Sequence, residues 1–273
     1  MHIKKIHIRV LFYSLLCYSL IACTSLSTRQ YIAEVNRLGL LKNNIQTESF
    51  PLVYYSKREE KFSDILHVYI GGDGIPWQDY IFKSEDPEPY DSLVLQLMKQ
   101  DSQTSIYLGR PCYQGLAKTP PCQPEHWTSA RFSKKIVGSM SSALKQLQDR
   151  YHYKKLVLIG YSGGGALAVL LAHELPETIK VITIAGNLDT EAWTSLHFYS
   201  PLVNSVNPAK LGALAASIQQ IHLQGDKDEN IPPGITKNYL SKQKNTTVML
   251  FDDADHACCW HLRWPQILSE LYK

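Results

Sequence analysis

One serine in this chain stands where it can act as a nucleophile. Gly160-Tyr161-Ser162-Gly163-Gly164 is a Gly-x-Ser-x-Gly match, preceded by Leu156-Val157-Leu158-Ile159 and followed by an apolar stretch over residues 166–172. The aliphatic run reads as a strand covered on both faces, and the second stretch as a buried helix. A serine on so sharp a strand-to-helix turn needs small neighbours two residues to either side, which Gly160 and Gly164 supply. The helix N-terminus behind it offers backbone N–H groups, that of Gly163 among them, to a developing negative charge.

Such a serine needs a base and an acid to orient the base, each after its own strand. Residues 219–223 read as a strand running into Gly225-Asp226-Lys227-Asp228-Glu229-Asn230-Ile231-Pro232. Residues 248–251 read as another, running into Asp252-Asp253-Ala254-Asp255-His256. The order serine, acid, histidine is therefore present, with Asp228 or Asp226 as the acid and His256 as the base. The chemistry is acyl transfer through an acyl-enzyme. A metal site at Asp253, Asp255, His256, Cys258, Cys259 and His261 is not expected, because adjacent cysteines chelate one tetrahedral ion poorly. No cofactor is implied.

The elements that must position these groups alternate. Strands are expected at 50–56, 65–70, 104–108, 156–159, 181–185, 219–223 and 248–251. Helices are expected at 91–99, along the Ile136, Met140, Leu144, Leu147 stripe, at 166–172, near 235–240 and at 260–272. Alternation from residue 65 onward predicts an α/β fold with a mainly parallel sheet and helices on both faces. Residues 187–216, with Trp193, His197, Phe198 and Tyr199, lack periodicity and read as a short cap over the site, where His197 is a conceivable substrate contact. Arg110 and Arg131 are read as structural partners of acids near the pocket.

From about residue 65 the sequence resembles the α/β-hydrolases. The resemblance implies their fold, and Gly225-x-x-Asp228-x-x-Ile231-Pro232 matches the family's acid loop, favouring Asp228 over Asp226. Gly71-Gly72-Asp73-Gly74 stands in the place of the oxyanion loop, with Gly71 where histidine is usual; the Asp73 amide is taken as the donor beside Gly163. More narrowly, Gly109-Arg110-Pro111-Cys112 and Trp127-Thr128-Ser129-Ala130-Arg131 resemble a group of uncharacterised bacterial exported hydrolases.

Length and composition agree with one large domain: 273 residues, 44% apolar, with 16 Tyr, 7 Phe and 5 Trp, which excludes a disordered chain. Lys4, Lys5 and Arg9 supply the whole net charge of +3, leaving 25 basic and 25 acidic side chains in the remainder. A balanced surface has no electrostatic footprint for nucleic acid. Residues 1–22 read as a secretory signal, and Leu20-Ile21-Ala22-Cys23 resembles a bacterial lipobox, implying cleavage before Cys23 and its acylation. Residues 23–48 are expected to be a tether and first packing segment, and 49–273 the hydrolase domain. Thr24 in place of aspartate favours the outer membrane, facing the periplasm. Cys112 and Cys122 are expected to form a disulfide in an oxidising compartment, and Cys258 and Cys259 to be two buried thiols.

The expected function is an exported serine hydrolase of carboxylic esters or thioesters. The alternatives are a serine peptidase on the same fold, or a non-catalytic interaction lipoprotein on a hydrolase scaffold.

Overall fold

The computed structural model describes residues 25–58, 63–90 and 93–271. The expected signal segment and Cys23 lie outside them. An eight-stranded sheet runs β1 (Leu41–Gln46), β2 (Pro51–Ser56), β6 (Ser105–Leu108), β3 (Ile65–Ile70), β7 (Lys155–Tyr161), β8 (Thr178–Ile184), β9 (Gln219–Gly225), β10 (Thr246–Phe251). From β6 to β10 every pairing is parallel, while β1 and β2 are antiparallel.

The uninterrupted aliphatic run explains the central strand. On β7, Leu156 and Leu158 join one hydrophobic cluster, and Val157 and Ile159 the other. The first cluster takes the stripe of α3 (Lys134–Tyr151) and all of the apolar body of α4 (Gly163–Glu174). The second takes α1 (Leu26–Arg37), α2 (Leu93–Gln100) and α7 (Trp260–Leu271), whose Trp260 and Trp264 are fully buried. Both faces are therefore covered, as a parallel sheet requires. α5 (Thr190–Leu196) and the short α6 (Lys237–Leu240) complete the helices described here.

The structure adds elements that the pattern did not show. Within residues 23–48, expected to be a tether and first packing segment, helix Leu26–Arg37 is followed by edge strand β1 at residues 41–46. An edge strand exposes most of its residues, so Leu-Lys-Asn-Asn-Ile-Gln carries no alternation beyond buried Ile45. In the sheet β6 lies between β2 and β3, although these two are consecutive in the chain. A two-stranded hairpin, β4 (Trp77–Gln78) with β5 (Phe82–Lys83), follows the glycine-rich loop and was not expected at all.

The cysteines divide. Cys112 and Cys122 are within bonding distance, their Cα atoms 5.5 Å apart. Cys258 and Cys259 are not two buried thiols: Cys258 is exposed and Cys259 half-buried.

Candidate active site

Strand β7 ends at Tyr161 and α4 begins at Gly163, so Ser162 alone makes the turn, with φ 52° and ψ −121°. A non-glycine residue there is strained, and the surroundings hold it. Its N–H bonds to Ile184 O at 2.9 Å and its carbonyl accepts from Asn187 N at 3.0 Å, tying the turn to the end of β8. A Cβ at Gly160 would run into the Gly164 carbonyl, and one at Gly164 into the Ile70 carbonyl. Only glycine permits that approach of turn, helix and β3.

His256 meets this serine. Its Nε2 is 3.0 Å from Ser162 Oγ, and its Nδ1 is 2.9 Å from Asp228 Oδ2. Asp228 is buried, and its other oxygen accepts the N–H groups of Asn230 at 2.9 Å and Ile231 at 2.7 Å. Those bonds fix the carboxylate with one oxygen free for the imidazole. Asp226, two residues earlier, is exposed and its backbone pairs with Phe251. The His256 carbonyl accepts from Tyr161 Oη at 3.1 Å and Trp260 Nε1 at 3.0 Å, which anchors the histidine loop to the strand end.

Asn230 was not singled out in the sequence. Its Nδ2 donates to His256 Nε2 at 3.0 Å, while its Oδ1 accepts from Trp193 Nε1 at 3.2 Å. The tryptophan N–H can only donate, so it sets which way the amide points. His197, expected as a conceivable substrate contact, bonds the Asn230 carbonyl through Nε2 at 2.8 Å and stacks on Tyr199.

The glycine-rich loop approaches from β3. A Cβ at Gly72 would sit 3.3 Å from Ser162 Cβ, and one at Gly163 would strike the Asp73 carboxylate. That carboxylate bridges two buried arginines: Arg110 Nη1 to Oδ1 at 2.6 Å and Arg131 Nη1 to Oδ2 at 2.7 Å. Arg110 also holds the Gly72 carbonyl at 3.0 Å, and Tyr113 Oη the Asp73 carbonyl at 2.8 Å. In a trans peptide the N–H opposes the C=O, so gripping Gly72 O sets the direction of the Asp73 amide. Burial raises the Asp73 carboxyl, but Arg131 and Arg110 more than offset it and hold it below the usual carboxylate range. Arg110 and Arg131 thus do pair with an acid at the pocket, and that acid belongs to the expected oxyanion loop.

Contacts close into a rim around Ser162. Asp73 pairs with Arg131, whose guanidinium lies 5.9 Å from the Trp193 ring centre; Trp193 bonds Asn230, and Asn230 bonds His256. Behind the loop lies a cavity of about 50 Å³, lined by Tyr31, Gly71, Gly72, Leu93, Tyr107 and Tyr161 among others.

A mostly parallel sheet with a serine on its strand-to-helix turn, followed in chain order by an acid and a histidine, defines the hydrolase class of α/β proteins. The family model for the alpha/beta hydrolase fold matches residues 112–260, and the chain belongs to that family. No curated protein matches. Among solved structures, an esterase of Pyrococcus furiosus is 13% identical with a TM-score of 0.62, over 87% of this chain and 91% of its own. An alpha-beta serine hydrolase homologue from Coxiella burnetii is 15% identical with a TM-score of 0.56, over 85% of this chain and 95% of its own. A membrane phospholipase A described as a bacterial virulence factor is 12% identical with a TM-score of 0.58, over 99% of this chain and 97% of its own.

Proposed function

We propose that this protein is a serine hydrolase of carboxylic esters or thioesters. The observation that carries the reading is the relay Ser162 Oγ, His256 Nε2, His256 Nδ1, Asp228 Oδ2, with links of 3.0 and 2.9 Å. His256 takes the Ser162 proton as the hydroxyl attacks the acyl carbon, and Asp228 stabilises the imidazolium. The imidazolium then gives its proton to the leaving oxygen or sulfur. The amides of Gly163 and Asp73 stabilise the tetrahedral oxyanion, each worth about 3 kcal/mol. Water, deprotonated by His256, releases the acid and restores the serine. Ester cleavage is also the activity in the name of the Pyrococcus esterase, and it fits a small-molecule acyl substrate.

A fluorophosphonate probe tests the reading. Covalent labelling at Ser162, with hydrolysis of p-nitrophenyl esters lost by at least ~10³-fold in Ser162→Ala, supports it. A folded chain that neither labels nor hydrolyses esters overturns it, and cleavage confined to a peptide panel turns it into a peptidase.

The protein is further placed in the bacterial cell envelope, held by acyl chains on Cys23, with the outer membrane preferred. This rests on the basic start, the apolar run and Leu20-Ile21-Ala22-Cys23. Cys23→Ser should move the protein out of the membrane fraction; persistence there would discard the anchor.

A further inference from the structure

We propose that the rim of the site docks on a lipid bilayer through two apolar projections, so that the substrate ester is taken from assembled lipid. The second clause rests on the hydrolase reading; the docking does not.

The first projection is the hairpin over residues 77–83, which starts four residues after Asp73. Its tip exposes three large apolar side chains in a row: Tyr80 at 88%, Ile81 at 72% and Phe82 at 65%. The base is fixed by ladder pairs Trp77–Lys83 and Gln78–Phe82, by Ser84 N to Pro76 O at 3.0 Å, and by buried Trp127 donating to Ser84 O at 3.0 Å. A bulky ring is therefore held in water by a rigid stalk. Tyr80 keeps that place at φ 60°, a left-handed conformation unfavourable for an aromatic residue.

The second projection is the loop over residues 196–203. Phe198 is 95% exposed and also left-handed, at φ 56°, between His197 and Tyr199, which stack on each other at 5.2 Å. Val203 is 76% exposed. This loop is tied to the rim by His197 on Asn230 and by the Trp193–Tyr199 ring contact. Soluble surfaces seldom gather exposed aromatic side chains on strained backbone beside one site; such patches mark interaction surfaces.

The chain's own start selects a membrane as the occupant. Ser25 Oγ and Thr28 Oγ1 both bond Asp86, three residues beyond the end of the hairpin. Ser25, the first described residue, is therefore held at the hairpin's base. A lipidated Cys23 has only about 7 Å of chain before Ser25, at 3.3–3.6 Å per residue. The cations nearest the hairpin are paired, Lys83 with Glu125 at 2.9 Å and Lys118 with Glu85 at 3.0 Å, and its turn carries an exposed carboxylate, Asp79. Docking is therefore apolar and needs no anionic lipid.

The test uses the full chain carrying Ser162→Ala, so that lipid is not consumed, and Trp77→Phe, so that the hairpin's own indole is removed, with tryptophan introduced singly as Tyr80→Trp, Phe198→Trp or Tyr151→Trp and its quenching read above that of the four remaining native tryptophans. Tyr151 lies at the end of α3 just before β7, at the opposite edge of the sheet from Ser162. With brominated phosphatidylcholine vesicles, tryptophans at 80 and 198 should be quenched and that at 151 should not. Equal quenching at all three, or none at 80 and 198, overturns the docking. So does a dimer in sedimentation velocity that Tyr80→Ser/Ile81→Ser/Phe82→Ser dissociates without any vesicle quenching, which would give the surface to a second copy. In the chain with Ser162 intact, that triple variant should lower turnover of p-nitrophenyl octanoate dissolved in vesicles by at least ~10-fold relative to the same ester free in solution, since three apolar side chains leave the bilayer. Equal loss on both forms refutes delivery from lipid. Absence of turnover on either form by the unmodified chain counts against the hydrolase reading, and the quenching still decides the docking.

Discussion

Asn230 and Ser162 address the same nitrogen: Asn230 Nδ2 and Ser162 Oγ are each 3.0 Å from Nε2 of His256. With Nδ1 protonated toward Asp228, Nε2 has one lone pair for two donors. The amide thus competes with the hydroxyl until the serine attacks, and Trp193 keeps it in place.

Removing that competitor should quicken the serine. Asn230→Ala is expected to raise the rate of fluorophosphonate labelling about 2- to 10-fold, the equivalent of one hydrogen bond of ~0.5–1.5 kcal/mol. A rate below that of the parent protein would show that the amide steadies the ring rather than competes.

The Asp73 bridge makes a prediction about both stability and rate. Asp73→Asn leaves two buried guanidiniums facing a neutral amide, and breaking a buried pair costs about 3–5 kcal/mol, read as a lower urea midpoint. The folded carboxyl is held low, so its contribution is present above the unfolded pKa near ~3.9 and is lost as pH falls through the lower folded value. If the variant unfolds outright, Arg110→Lys is the second probe. It keeps one charge but cannot reach Gly72 O and Asp73 together, so labelling of Ser162 should slow with the fold intact. An unchanged rate would mean that the loop is positioned without Arg110.

Glu88 should make the protein less stable in mild alkali. Burial, with Asp86 nearby, pushes its carboxyl up to about 8 despite the bonds from Gln114. The folded value lies above the unfolded one, so the contribution is complete below pH ~4.3 and is lost as pH rises through 8. Urea midpoints should therefore fall between pH 5 and 9, and Glu88→Gln should flatten that slope. A slope unchanged by the substitution would assign it to another group.

The Cys112–Cys122 bridge closes a short loop that leads from Arg110 toward Arg131. Mass spectrometry of the non-reduced protein should find the pair linked. Cys122→Ser should cost about 3 kcal/mol of stability in the chain-entropy model, with Ser162 labelling retained.

Much of the frame was readable because burial on two faces leaves an unmistakable mark. The Leu156–Ile159 run and the Ile136–Leu147 stripe appear as β7 and α3, and β3 matches at both ends. Where an element touches water on most sides the mark fades, which is why β1 and the hairpin at 77–83 were missed. The exposure of Cys258 and Cys259 was misjudged for a related reason: sequence neighbours say nothing of burial.

Chain order named Ser162 and His256 and narrowed the acid to Asp226 or Asp228, with the family resemblance favouring Asp228, because each must follow a strand and the strands are hydrophobic. Which carboxylate faces the imidazole, and that Arg110, Arg131, Trp193 and Asn230 converge around it, was decided by the folded chain. Those groups act through hydrogen bonds and charge across contacts that join β3, β7, β9 and the 187–216 segment. Polar contacts of that kind obey no period along the sequence, so only the packing of the sheet brings them within reach.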